Sequence, residues 1–127
     1  MTDPTAFIEE ILAMWTNPDL DERLDVIRSH LTTDIRLHDL DGTFEGEAEL
    51  ERFSASLRAR FPGARFHLTA PPDIVGDGMR VTWTFGPDAH PDAVSGMDFI
   101  LWDGTRARAI YAFVTRPPSP QTAVEGR

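Results

Sequence analysis

Apolar and polar positions repeat along this chain with two different periods. Up to about residue 61 the repeat is mostly helical. Phe7, Ile8, Ile11, Leu12 and Trp15 recur three and four residues apart and mark one face of a first helix, with Asp3 as its cap and Pro4 in its first position. Asn17-Pro18 repeats the cap signal before a second helix, whose apolar residues are Leu20, Leu24, Ile27 and Leu31. A third runs from about Glu47 to Arg60, with Leu50, Phe53, Leu57 and Phe61 as its stripe and Pro62-Gly63 as its stop. Between the second and third helices, DIRLHDLDG (34–42) alternates as a strand does. Ile35, Leu37 and Asp39 fall on one face, Arg36, His38 and Leu40 on the other, and Asp41-Gly42 ends it in a turn.

Beyond residue 64 the period is two. Phe66, Leu68 and Ala70 alternate with Arg65, His67 and Thr69; Met79, Val81, Trp83 and Phe85 alternate with Arg80, Thr82 and Thr84. After a loop, GPDAHPD, the segment from Val94 to Trp102 is apolar on both faces, as a central strand is. Asp103-Gly104 predicts a hairpin turn, and a last strand runs from about Arg106 to Thr115. The pattern predicts one α+β domain over residues 1–116, a curved antiparallel sheet over three helices that encloses a pocket, and a flexible C-terminal tail over 117–127.

Two aspartates interrupt the apolar rows. Asp39 continues the row of Ile35 and Leu37. Asp98 shares parity with Val94, Gly96, Ile100 and Trp102, while Met97, Phe99 and Leu101 fill the opposite face. Burial without a counter-charge disfavours ionisation, so a carboxyl in such a row has a raised pKa. Two carboxyls in different surroundings supply one base and one neutral proton donor. Asp39 also has a plainer reading as a strand-end residue, since Asp41-Gly42 follows at once; Asp98 stands well before the next turn, and that reading fits it less.

Composition narrows the chemistry. A length of 127 residues with 41% hydrophobic residues supports one domain with a real core. The net charge of −9 disfavours nucleic acid and anionic membrane surfaces as partners. All 12 basic residues are Arg, which excludes a lysine Schiff base and covalent pyridoxal chemistry. The chain has no Cys, hence no thiol nucleophile and no thiolate metal site. No run approaches the ~18 apolar residues of a membrane span, and the acidic start MTDPTAFIEE has no signal-peptide pattern, so a cytoplasmic protein is expected. No histidine pair has H-x-H or H-x-x-x-H spacing, so no metal site is expected. Neither a G-x-G-x-x-G, a phosphate-binding loop nor a G-x-S-x-G occurs.

The run HLTTDIRLHDLDGTFEGEAELERF, together with VSGMDFILWDGTRARAIYAF, resembles the nuclear transport factor 2-like superfamily, and within it the SnoaL-like polyketide cyclases and ketosteroid isomerases. The likeness covers roughly residues 5 to 115. It implies a cone-shaped α+β barrel, three N-terminal helices packed in a strongly curved antiparallel sheet, and a deep, mostly apolar pocket. It also implies a homodimer through the outer face of the sheet. By resemblance Asp39 stands where the isomerases carry their general base, and Asp98 where they carry a protonated acid. Trp15 stands where the isomerase has its oxyanion tyrosine; an indole N–H donates a hydrogen bond but is no acid near neutral pH. Ser54 takes a helix position where some isomerases place a supporting tyrosine.

The resemblance thus implies a small cofactor-independent enzyme. Asp39, Asp98 and Trp15 would be its catalytic residues, acting by isomerisation, cyclisation or dehydration on an apolar carbonyl or polyketide-like molecule. Phe53, Leu57, Trp83, Ile110 and Val114 are core by default, and in a cone the core and the pocket wall are partly the same residues, so these five are the expected substrate-binding set. A binding module without turnover is one alternative. Another is epoxide hydrolysis, which needs Arg80 in the pocket, although parity puts Arg80 on the outer face. His38 is expected on the outer or dimer face, and His90 in a loop overhanging the pocket mouth. His67 and Thr69 carry no expected role.

Overall fold

The computed structural model describes residues 3–116, so the expected flexible tail at 117–127 lies outside the described residues. Helix α1 (Pro4–Met14) begins as expected, with the Asp3 carboxylate accepting the Thr5 N–H at 3.3 Å. Helix α2 (Leu20–His30) begins later than the Asn17-Pro18 signal. Proline disfavours the helical conformation of the residue before it, so Asn17 instead turns the chain, accepting the Asp19 N–H at 2.9 Å. Asp19 is the cap and accepts the Glu22 N–H at 3.0 Å.

The α2 stripe also differs from the expected one. Leu20 is 50% exposed, and Arg23 takes a buried place instead. Its guanidinium holds Glu51 of the third helix by two bonds, at 2.8 and 3.0 Å, and the Asn17 carbonyl at 2.7 Å. A planar fork with a carboxylate and a carbonyl satisfies much of a buried charge, which is why Arg is tolerated there.

Strands β1 (Leu31–Asp39) and β2 (Gly42–Glu45) form a hairpin with Leu40-Asp41 at its tip, and helix α3 (Gly46–Arg60) follows directly. The remaining strands are β3 (Arg65–Leu68), β4 (Asp73–Val75), β5 (Gly78–Gly86), β6 (Val94–Trp102) and β7 (Ala107–Arg116). Their order is β2-β1-β7-β6-β5-β3, with β4 also on β5. One pairing corrects the expected antiparallel sheet. β1 runs parallel to β7, so this α+β sheet is mixed, curved and not closed. The two strands lie at opposite ends of the sequence, and no hairpin dictates their direction. Asp103 and Gly104 turn β6 into β7, with the Asp103 carboxylate accepting the Thr105 and Arg106 N–H groups at 2.8 Å each.

Helices α1 and α3 pack into the concave face. At one end the packing is dense, with the Phe7 and Trp102 rings 4.8 Å apart. The Arg23–Glu51 pair ties α2 to α3 and is largely buried, whereas Arg28–Glu47 is exposed. Glu51→Ala leaves a buried cation unpaired, and urea unfolding should show a loss of about 2–3 kcal/mol. Glu47→Ala should cost less than about 1 kcal/mol. Equal losses would mean that Arg23 is not held as described.

Candidate active site

Strands β1, β7 and β6 lie side by side, and their register sets three inward residues in one row. Asp98 pairs with Ala112 across β6 and β7. Leu37 pairs with Ile110 and His38 with Tyr111 across β1 and β7, so one residue further along Asp39 comes beside Ala112. The two aspartates therefore stand on either side of an alanine, two strand spacings apart, or about 10 Å at the backbone. The small Ala112 side chain leaves the space between them open.

Asp39, Asp98 and Ala112 all face one cavity of about 200 Å³. Trp15, Phe53, Leu57, Trp83 and Val114, five of the residues expected at a site, line it as well. Ile110 does not. It is 1% exposed and sits one inward rung deeper than Ala112, paired with Leu37 and Ile100 in the core. Alternation gives the face of a strand but not the depth along it, and Ile110 and Val114 share a face. The lining also includes residues that parity alone did not single out as binding. Leu12, Phe66 and Phe85 belong to rows already read as apolar, and Arg60 with Asp41 stands at the rim.

The two carboxyls have contrasting surroundings. Asp98 is 5% exposed. Burial pushes its pKa up to about 7, against a hydrogen bond from the Trp83 indole N–H that favours the ionised form; the charge of Asp39 adds to the rise. The Trp83 Nε1 to Asp98 Oδ1 distance is 2.9 Å. Asp39 is also raised by burial; backbone N–H groups of Asp41 and Leu40 oppose the rise, the Asp41 charge adds to it, and the nearby Arg60 favours the ionised form. It lies at the strand end as well as in the pocket, so both readings of its position hold. Arg60 bonds Asp41 at 3.1 Å across the rim.

Trp15 meets Phe53 edge-on, with centroids 5.3 Å apart, and its carbonyl accepts the Ser54 hydroxyl at 2.8 Å. Ser54, fully buried, fastens α3 to the end of α1 behind the pocket wall. His38 stacks on Tyr111 at 4.6 Å, on the convex side. Arg80 is also on that side, bonded to Asp73 at 2.6 Å, and contributes nothing to the cavity wall. His90 is exposed and absent from the wall, although Val94, which follows its loop, is part of it. Among the described residues no three His, Cys, Asp or Glu side chains come together as metal ligands, and no helix is long and apolar enough to cross a membrane.

Comparison with known proteins bears on the fold and the family. A candidate isomerase of the SnoaL-like family from Agrobacterium tumefaciens superposes with a TM-score of 0.79 at 25% identity, over 90% of this chain and 98% of that one. A candidate SnoaL-like polyketide cyclase from Jannaschia sp. CCS1 gives 0.66 at 17% identity, over 91% and 89%. A protein of ketosteroid isomerase-like fold from Catenulispora acidiphila, in complex with trimethylamine, gives 0.70 at 17% identity, over 88% and 86%. No curated protein matches significantly. The sequence profile of the SnoaL-like domain matches residues 8–116, from α1 to the end of β7, and the chain belongs to that family.

Proposed function

We propose that this pocket performs cofactor-independent acid–base chemistry on a compact apolar carbonyl compound, in a cytoplasmic homodimer. Asp39, ionised, takes a proton from the carbon next to the carbonyl. Asp98, neutral, donates a hydrogen bond to the carbonyl oxygen as charge develops on it, and the Trp15 N–H is the second donor. Return of the proton from Asp39 to another carbon gives isomerisation; its return to the alkoxide formed when the enolate attacks a second carbonyl gives cyclisation; its delivery to a β-hydroxyl, which leaves as water, gives dehydration. The observation that carries this reading is the pair of inward carboxyls on either side of Ala112, one fully buried and one with backbone donors. Environments that push two pKa values apart assign acid and base.

Cavity size favours a ligand of one or two rings. An apolar cavity of about 150 Å³ holds benzene, so about 200 Å³ holds little more, with any larger portion left at the open mouth. The epoxide reading loses support because Arg80 is outside. Binding without turnover stays a second reading, favoured by the small amine held by the Catenulispora relative.

Asp39→Asn separates these readings. It keeps size and hydrogen bonding but takes no proton. With small cyclic ketones and 1,3-dicarbonyls in heavy water, the wild type should exchange α-protons about 10²–10⁴-fold faster than the variant. Equal rates would remove Asp39 as the base. No exchange by either protein, with ligand bound, would favour the binding module.

The Asp98 carboxyl also contributes to the pH dependence of stability. Its folded pKa, about 7, lies above its unfolded value. Below about pH 4 both states are neutral. Between about 4 and 7 only the unfolded state ionises, so stability falls as pH rises, by an order of 4 kcal/mol in total, and then levels off. Asp98→Asn should flatten this decline in denaturant titrations at pH 4 and pH 8. An unchanged slope would mean that Asp98 is solvated.

The dimer reading rests on the convex face, where Phe99 is 38% and Phe113 53% exposed near Tyr111 and Met97. Light scattering at micromolar concentration should return twice the 14.2 kDa of one chain. A monomer mass would exclude it.

A further inference from the structure

Trp83 and Asp98 lie on adjacent strands but not opposite one another. In the β5–β6 register Trp83 faces Gly96, and Asp98 faces Val81. The indole therefore crosses over Gly96 to reach the carboxyl diagonally. The crossing needs glycine: a Cβ at position 96 would run into Cζ2 and Cη2 of the Trp83 ring, and would come within 2.6 Å of the Phe113 carbonyl oxygen. Phe66 braces the indole edge-to-face from β3, with centroids 5.1 Å apart. The G-x-D spacing of β6 is thus one device. Glycine opens a slot, the tryptophan fills it, and the aspartate two residues on receives its N–H.

The geometry points to Trp83 as a positioning residue that decides which oxygen of Asp98 meets the ligand: its N–H occupies Oδ1, so Oδ2 carries the proton and makes the one hydrogen bond into the cavity. This deepens the proton-donor reading of Asp98 and rests on it. An indole N–H is a donor only, so it cannot accept the carboxyl proton, and it is better received by the unprotonated carbonyl oxygen than by a hydroxyl oxygen. With Oδ1 engaged, Asp98 recognises a single acceptor oxygen, as in a ketone or its enolate. Ligands that need two free carboxyl oxygens, such as amidines or guanidines, are matched less well.

Few other charges reach Asp98. From β1 comes Asp39; Asp41 of the hairpin tip and Arg60 of α3 stand at the rim and pair with each other. β7 presents Ala112, β5 presents Val81 and Trp83, and Trp15 stands at the C-terminal cap of α1; none of these titrates near neutrality. The Trp83 bond favours the ionised carboxyl. Removing it raises the midpoint of Asp98.

The test reads this bond directly by NMR, with tryptophan and aspartate labelled. In the wild type the Trp83 indole N–H resonance should move with a midpoint near 7, together with the Asp98 carboxyl carbon, and should stop moving in Asp98→Asn. Trp83→Phe should move the carboxyl midpoint up by about one pH unit. Phenylalanine also empties space, so a second variant carries 3-benzothienylalanine at position 83, which keeps the two-ring shape and replaces N–H by sulfur. It should give the same upward shift. An unmoved midpoint in the benzothienyl variant, or an indole resonance indifferent to Asp98 ionisation, would overturn the proposal. Lower activity in Trp83→Phe with the midpoint unchanged would show a packing role only and overturn it equally. These titrations need no substrate, so they stand apart from the exchange experiment on Asp39; failure of one is distinguishable from failure of the other.

Discussion

The parallel pairing of β1 with β7 is the contact on which the site depends. Strands β5, β6 and β7 form a meander that a local chain can build alone. Among the described residues, only the β1–β7 ladder joins that meander to the β1–β2 hairpin within the sheet. It brings Asp39 into line with Asp98 and Ala112, about sixty and about seventy residues further along the chain, and contacts so distant in sequence are among the costlier to form. The same ladder carries a register irregularity between Leu31 and Arg36. Bulges of this kind increase local twist and re-aim a strand. Here the regular part of β1 that follows, from Arg36 to His38, carries Leu37 into the core and Asp39 into the cavity.

Alternation in the sequence carried much of this arrangement. Both aspartates lie on the inward face that parity assigned them, and Arg80 and His38 lie on the outward one. What parity lacks is position along and between strands. Ile110 and Val114 have the same parity, yet one is core and the other is wall, because depth depends on where the helices stop covering the sheet. The four-residue β2 is too short to alternate visibly, and it lies between the Asp41-Gly42 turn signal and the start of the helical stripe. The Trp83–Asp98 bond is diagonal across two strands, so it needs the register, which no single strand encodes. Arg23 broke the α2 stripe for a different reason: its partners, Glu51 and the Asn17 carbonyl, come from elements that only tertiary packing assembles.

Charge is distributed in keeping with that division. Several arginines pair with carboxylates on the outside, such as Arg80 with Asp73, Arg108 with Asp77 and Arg65 with Asp88. Exposed pairs of this kind contribute little to stability. The pocket is different. Arg60 reaches only its rim and is engaged there by Asp41, so the interior holds carboxyls without a full counter-charge. An apolar wall then acts on those carboxyls in proportion to their burial: strongly on Asp98, less on Asp39, where backbone N–H groups compensate.

A fold built for stability alone would not keep Asp98. Leucine or valine in its place would extend the row of Val94 and Ile100 and remove a group whose ionisation opposes folding above about pH 4. The surrounding chain instead accommodates the carboxyl, with a glycine that admits an indole and an indole whose only polar atom serves that carboxyl. Three residues on two strands are thereby committed to one oxygen atom. Local choices that weaken a fold and are supported by their neighbours cluster at functional sites. That cost, and its support by Trp83 and Gly96, is the strongest physical support for the role proposed for Asp98.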